Sequence, residues 1–276
     1  MQPSPTRTAG PVPPDETRAV LDDVAGAGPW FALAPLPAAP GPEWERWDAL
    51  YGPPGHGTDR LGARIDQVAV ALDTDRRIAA SIAVQGMAAR LVSAPLATVA
   101  LHGVLPGLDD LHRAPGAEDP WAPGIPCAPG TGAPAAVRTP DPRTDPAGAA
   151  EPLAHALAGL LDPLYAAVVQ RASVSQRVLR GNAVSAVAGA ARVLESGRRA
   201  DRAAYLGVLS ALVGHPALRG PLPAGATGRL LLLDDDDPAT EWSYRRNSCC
   251  LYVKVPGGGT CGDCVLNGRG TRGSGG

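Results

Sequence analysis

Four of the five cysteines in this chain fall in one stretch, Cys249, Cys250, Cys261 and Cys264, spaced C-C-x10-C-x2-C. Four thiolates that close together point to a metal centre. Three arrangements use such a set: a four-thiolate iron–sulfur cluster, a structural zinc ion, or a pair of disulfides. Disulfides belong to oxidising compartments. Zinc sites usually draw on two separated C-x2-4-C knuckles, and here only Cys261-Gly262-Asp263-Cys264 has that form. Cys249 and Cys250 are adjacent, so in extended backbone their side chains point to opposite sides. One tetrahedral ion would need a local distortion to bind both. A cluster with two irons relaxes the difficulty, because neighbouring cysteines reach different metal atoms or share one through a bent backbone. Spacing alone favours iron–sulfur and leaves zinc and disulfides open.

The residues around the cysteines carry a resemblance. Ser-Cys-Cys-Leu-Tyr, then Pro-Gly-Gly-Gly and Cys-Gly-Asp-Cys-Val-Leu, resembles the C-terminal motif of the FhuF-like ferric-siderophore reductases, over about Arg245 to Leu266. The resemblance implies a [2Fe–2S] cluster held by Cys249, Cys250, Cys261 and Cys264, and one-electron reduction of ferric-siderophore iron to Fe(II). A weaker echo lies upstream in Arg180-Gly181-Asn182-Ala183-Val184-Ser185. The family often has an aromatic residue where this chain has Arg180, so no role is carried over to Gly181 or Asn182. A shared cluster motif does not fix a substrate; the alternative is a non-enzymatic [2Fe–2S] electron carrier or iron sensor.

Such a cluster carries about −2 charge when oxidised and about −3 after accepting one electron. Gly257, Gly258 and Gly259 lack side chains, so their N–H groups can approach sulfur closely. Arg245, Arg246 and Lys254 are the cations available to offset the added charge, and Arg245 and Arg246 are expected to line the substrate approach. Catalysis needs no residue beyond the cluster, since electron transfer requires proximity and potential. No Ser/His/Asp set, Walker loop or Rossmann fingerprint is present. Without a flavin or nicotinamide signature, electrons must come from an external donor protein or reductant.

Composition narrows the remaining classes. Net charge is −2 and the pI is about 6.2, so no basic field points to nucleic acid. Residues 1–18 are Pro-rich and polar, without the basic start and apolar core of a secretory leader. The apolar run Leu91 to Leu108 is broken by Pro95 and Pro106 and argues against stable membrane insertion. A reducing cytoplasm is the expected compartment, and it agrees with cysteines kept as thiolates.

The elements that must position the cysteines read as mainly α with minor β. Residues 1–14 are expected to be a disordered tail, 15–228 a mainly helical domain, 229–268 the cluster-binding segment and 269–276 a flexible tail. Apolar residues at helical spacing predict helices opened by Thr58 or Asp59 and by Thr74 or Asp75, the second interrupted at Pro95. His102 reads as a hydrogen-bonded core residue, and Trp44 and Trp47 as core anchors. Residues 113–150 form a Pro/Gly-rich stretch, either a loosely attached loop or weak strands; Cys127 there is expected to be a free thiol without a role. The helical signal is clearest from Glu151, with a kink or restart at Asp162-Pro163. Further helices open at a Ser173/Gln176 capping box and at Asp201. Leu230 to Leu233 reads as a short buried strand, and Asp234 to Asp237 as a solvated acidic loop.

Overall fold

The structure, a computed structural model, describes residues 10–52, 59–114, 121–197, 201–232 and 241–267. The helices are α1 (Pro14–Ala25), α2 (Arg60–Ala71), α3 (Arg76–His102), α4 (Pro146–Ala172), α5 (Gln176–Gly197), α6 (Arg202–Val213) and the single turn α7 (Pro216–Arg219). The strands are β1 (Ala34–Leu36), β2 (Glu45–Arg46), β3 (Val104–Pro106), β4 (His112–Arg113), β5 (Pro123–Pro126), β6 (Ala136–Arg138), β7 (Gly228–Leu232) and β8 (Trp242–Arg246). At 54% helix and 12% strand the protein is mainly α with minor β. The acidic run at 234–237 and the tails at 1–9 and 268–276 lie outside the described residues.

Helix α3 is the axis of the bundle. Asp75 opens it by accepting the Ile78 N–H at 2.9 Å, the N-cap contact its sequence promises. It does not stop at Pro95 as the sequence suggests; it runs on to His102, where Gly103 closes it at φ +64°. The missing Pro95 N–H costs one helical hydrogen bond. Burial outweighs that loss, since every residue from Leu91 to Leu101 is buried. Helix α4 likewise runs through Pro152 and Pro163 without a restart. Both helices are long and apolar enough to cross a membrane by length and composition only, and 72% of the most apolar stretch of α3 and 44% of that of α4 are buried within the fold.

Helix α5 packs against α3 more extensively than any other pair of elements. Ala79, Ala80, Ala83 and Ala88 on α3 and Ala183, Ala186, Ala190 and Ala191 on α5 are all buried. Small side chains let the two backbones lie close. The expected Ser173 cap is corrected: Ser173 ends α4 in the left-handed region at φ 47°, and Ser175 Oγ accepts the Val178 N–H at 3.4 Å to open α5. Asp201 sits at the start of α6 without capping it, its carboxylate instead held by Arg143 at 3.0 Å.

The described residues of the stretch 113–150 are structured. β1, β5, β4 and β2 form a four-stranded sheet in that order, and β3 pairs antiparallel with β6. Strands of two to four residues carry too little alternation to be read from sequence. Residues expected in a disordered tail also join this region, for the Val12 N–H donates to Ala136 O at 2.9 Å. The Cys127 N–H donates to Leu36 O at 2.9 Å, so this cysteine follows a paired strand and does not ride a mobile loop. Trp47 is a core anchor, buried with its ring 6.0 Å from that of Trp121, while Trp44 is half-buried. His102 bonds Asp23 at 2.8 Å through Nε2.

The β7–β8 hairpin carries the chain to the cysteines. Its register pairs Gly228 with Arg246, and Trp242 and Tyr244 enter the same core as α3 and α5. The cysteine loop is therefore rooted in the main core.

Candidate metal centre

Strand β8 sets the orientation of the first two cysteines. Trp242, Tyr244, Arg246, Ser248 and Cys250 are buried and the residues between them are half-buried, the period of two that extended backbone imposes. Cys250 therefore points inward and Cys249 outward. Directly after them Leu251 takes φ 73°, a left-handed bend that turns the chain off the line of β8. A short 3₁₀ turn over Tyr252–Lys254 comes next. Leu251 and Val255 pack against Ile78 near the start of α3, which anchors the loop on the bundle.

All four cysteines of the motif are free thiols; Cys250 and Cys264 are buried, and Cys249 and Cys261 half-buried. The Leu251 N–H lies 3.3 Å from Cys249 Sγ and the Leu266 N–H 3.5 Å from Cys264 Sγ. Cys250 and Cys261 share a hydrogen bond, which pulls the Cys250 thiol down to about 6; burial opposes the shift, and the Tyr252 N–H and the Arg246 charge assist it. The same shared proton pushes the Cys261 thiol up.

Beneath the loop lies a buried polar network. Arg246 is fully buried, at 0% exposure. Its Nε donates to Asp263 Oδ2 at 2.8 Å and its Nη1 to Asn182 Oδ1 at 2.6 Å. Asn182 Nδ2 in turn donates to Ser81 O at 2.7 Å and Ser81 Oγ at 2.9 Å. Ser81 Oγ donates to Cys250 O at 2.7 Å, and Ser185 Oγ donates to Asp263. The network thus ties α3 through Ser81, and α5 through Asn182 and Ser185, to both halves of the cysteine loop. Burial works against ionising Asp263, but the Arg246 charge and hydrogen bonds from Cys261, Ser185 and Arg246 hold its carboxyl below the usual range. Gly181 completes the seat, because a Cβ there would run into Ser248 Oγ.

One atom of this network has no protein partner. Arg246 Nη2 is buried without a hydrogen-bond acceptor, on a guanidinium whose charge is already engaged by Asp263, Cys250 and Cys261. A buried unpaired donor beside thiols fits a site built for an anionic group. The donor set fits as well: four free cysteine thiols are the ligand complement of a [2Fe–2S] cluster.

Residues 246–266 match the family model of the FhuF 2Fe-2S C-terminal domain. The cysteine loop is thus an FhuF-type segment whose cofactor is a [2Fe–2S] cluster, with Cys249, Cys250, Cys261 and Cys264 fitting the motif. No curated protein and no solved structure matches the chain.

Two expectations for this segment are corrected. Arg246 does not line a substrate approach, since it is buried under the loop. Arg245 is half-buried and donates from Nη1 to Asn267 O, whose side chain holds Cys261 O at 2.8 Å, so it pins the end of the loop. Of the three cations only Lys254 stands exposed. Gly258 turns the chain and gives its N–H to Val255 O at 2.8 Å, not to sulfur. A Cβ at Gly258 would strike the Tyr252 carbonyl oxygen and lie 2.9 Å from that of Val255. Sequence reasoning gave no role to Ser81 or Asp263, and noted Asn182 and Ser185 only within the weaker echo Arg180–Ser185. The alternation Trp242, Tyr244, Arg246 would have shown Arg246 facing inward.

Proposed function

We propose that the protein is a cytoplasmic one-electron reductase of ferric siderophores that uses its FhuF-type segment as the electron relay. The observation that carries the reading is the seating of the four-cysteine motif on a buried Arg246–Asp263–Asn182 network, at a loop whose outer residues are exposed. Bound there, a four-thiolate [2Fe–2S] cluster supplies single electrons at roughly −400 mV.

The chain's own residues hold, insulate and present. Cys250 and Cys264 are buried on the bundle side, and Leu251 and Val255 close the loop against α3. Leu251 and Leu266 give backbone N–H groups to the Cys249 and Cys264 sulfurs, and Arg246 supplies positive charge from beneath; both favour the more negative, reduced state. Cys249 and Cys261 lie half-buried beside exposed Tyr252, Val253, Lys254 and Thr260, which leaves a face for a bulky chelate. There Fe(III) takes up one electron and becomes Fe(II), which hard oxygen ligands hold less firmly. An external donor protein or reductant replaces the electron.

Steady reduction of a ferric siderophore, read with an Fe(II)-trapping dye under a low-potential donor, tests the reading. The intact protein should turn over repeatedly and Cys261→Ser should not. Equal rates for the two would remove the cluster from the reaction.

A further inference from the structure

Arg246 is the last residue of β8, and its main chain is tied to the second half of the cysteine loop, for its N–H donates to Asp263 O at 3.0 Å. Its guanidinium is held at two of its three nitrogens, Nε by Asp263 and Nη1 by Asn182. Neither holder is free to turn away. Asn182 is itself fully buried, and its Nδ2 is committed to Ser81 O and Oγ, so its Oδ1 must face Arg246. Asp263 Oδ2 is also met by the Ser185 hydroxyl. A guanidinium is a rigid planar fork, so fixing two nitrogens fixes the direction of the third. Nη2 is that third nitrogen, and it is buried with no acceptor in the protein.

Besides Asp263, the groups that face this charge are the Cys250 and Cys261 thiols. Metal ligation takes the protons from such thiols. A four-thiolate [2Fe–2S] cluster then brings about −2 charge to the loop, and about −3 after one electron. Asp263 adds a further negative charge beneath it. The other nearby cations are placed elsewhere: Arg245 is half-buried and turned to Asn267 O, and Lys254 stands exposed. The group left to meet the added charge from inside the fold is the free Nη2 of Arg246.

We propose that Arg246 is a further cluster-binding residue, its free Nη2–H donating to sulfur on the Cys250 and Cys261 side of the cluster and setting the potential at which the electron is taken up. Asn182 is its positioning residue, acting through the guanidinium it aims. Hydrogen bonds to the sulfurs favour the more negative state, so this donor raises the potential. A lysine in its place would bring a charge without the fixed fork. The inference goes beyond general charge beneath the loop to one donor atom, and it rests on the cluster without drawing on any substrate.

The test uses the full cluster-loaded chain, labelled with 15N-arginine and reduced by one electron with dithionite. Pulsed EPR of the reduced cluster should show a 15N coupling from an arginine. Arg245→Lys should keep that coupling, Asn182→Ala should weaken it, and Arg246→Lys should lose it. A redox titration followed by visible absorbance gives the second readout. At a given potential, Arg246→Lys should lower the ratio of reduced to oxidised cluster by about tenfold, a downward shift of about 59 mV for one electron. The double change Arg246→Met with Asp263→Asn removes both charges of the pair together, so a shift that persists there belongs to the lost donor. It also serves if Arg246→Lys loads no cluster. Loss of the coupling together with the lower potential supports the proposal. An arginine coupling absent from the wild type, or a wild-type potential in the loaded fraction of the variants, overturns it and leaves Arg246 with the seating of the loop alone. No ferric chelate enters either measurement, so the result is independent of the reductase reading.

Discussion

Replacing Arg246 should unseat the cysteine loop, and the size of the effect is set by its surroundings. Arg246→Met leaves Asn182 Oδ1 without its donor, and leaves the largely buried Asp263 carboxylate with the Ser185 hydroxyl but without its cation. Removing one partner of a buried ion pair costs about 3–5 kcal/mol, because the other charge stays behind unpaired. Arg245→Met loses one hydrogen bond at a half-buried position, to Asn267, worth about 0.5–1.5 kcal/mol. The two neighbours should therefore differ by about 2 kcal/mol or more. Urea unfolding of the cluster-loaded protein, followed by far-UV signal and visible absorbance, reads both losses. The double change Arg246→Met with Asp263→Asn removes both charges and should recover about 1 kcal/mol or more of the loss, since paired deletions in one network are not additive. Equal costs for Arg245 and Arg246, or no recovery in the double variant, would refute the buried-network reasoning.

Three further outcomes are expected. Serine at Cys249, Cys250, Cys261 or Cys264 should abolish or strongly alter the visible spectrum and lower the iron content, whereas Cys127→Ser should leave both unchanged; iron and acid-labile sulfide analysis checks it. Asn182→Ala should cost about 1–3 kcal/mol by leaving Arg246 Nη1 unsatisfied, and it should speed iron loss to a chelator more than Ser175→Ala does. Burial opposes the ionisation of Asp59, but the Gly62 N–H and Arg171 hold its carboxyl below the usual range. Its contribution to stability should then be complete above the unfolded value of about 3.9 and fade as pH falls through the lower folded value. Asp59→Asn should flatten that acid limb in urea midpoints taken from pH 7 downward.

The cysteines and the helices were legible because their signals are local. A spacing of four thiols survives any composition, and the apolar rows of α3, α4 and α5 repeat over many turns. The features out of reach were set by contacts between distant segments. Pro95 reads as a break and Pro163 as a kink or restart, yet the surrounding core holds each helix through them. The stretch at 113–150 reads as either a loose loop or weak strands because its strands are too short for alternation to show. Arg246 reads as a surface cation from its charge, and only the inward face of β8 reveals that it is buried. Ser81 carries no mark of its own, and Asn182 and Ser185 show only within the weak echo Arg180–Ser185; they matter because α3 and α5 bring them under the cysteine loop.

The account rests on electron transfer from the FhuF-type segment to chelated iron, and one single-turnover measurement reaches it directly. Anaerobically reduced protein is mixed in stopped flow with a ferric siderophore and an Fe(II) trap, while visible absorbance tracks the cluster and the dye tracks the product. The account predicts reoxidation and Fe(II) capture in a one-to-one ratio, with both signals lost in Cys249→Ser. A cluster that stays reduced in the presence of the chelate, or reoxidises without releasing Fe(II), would contradict it.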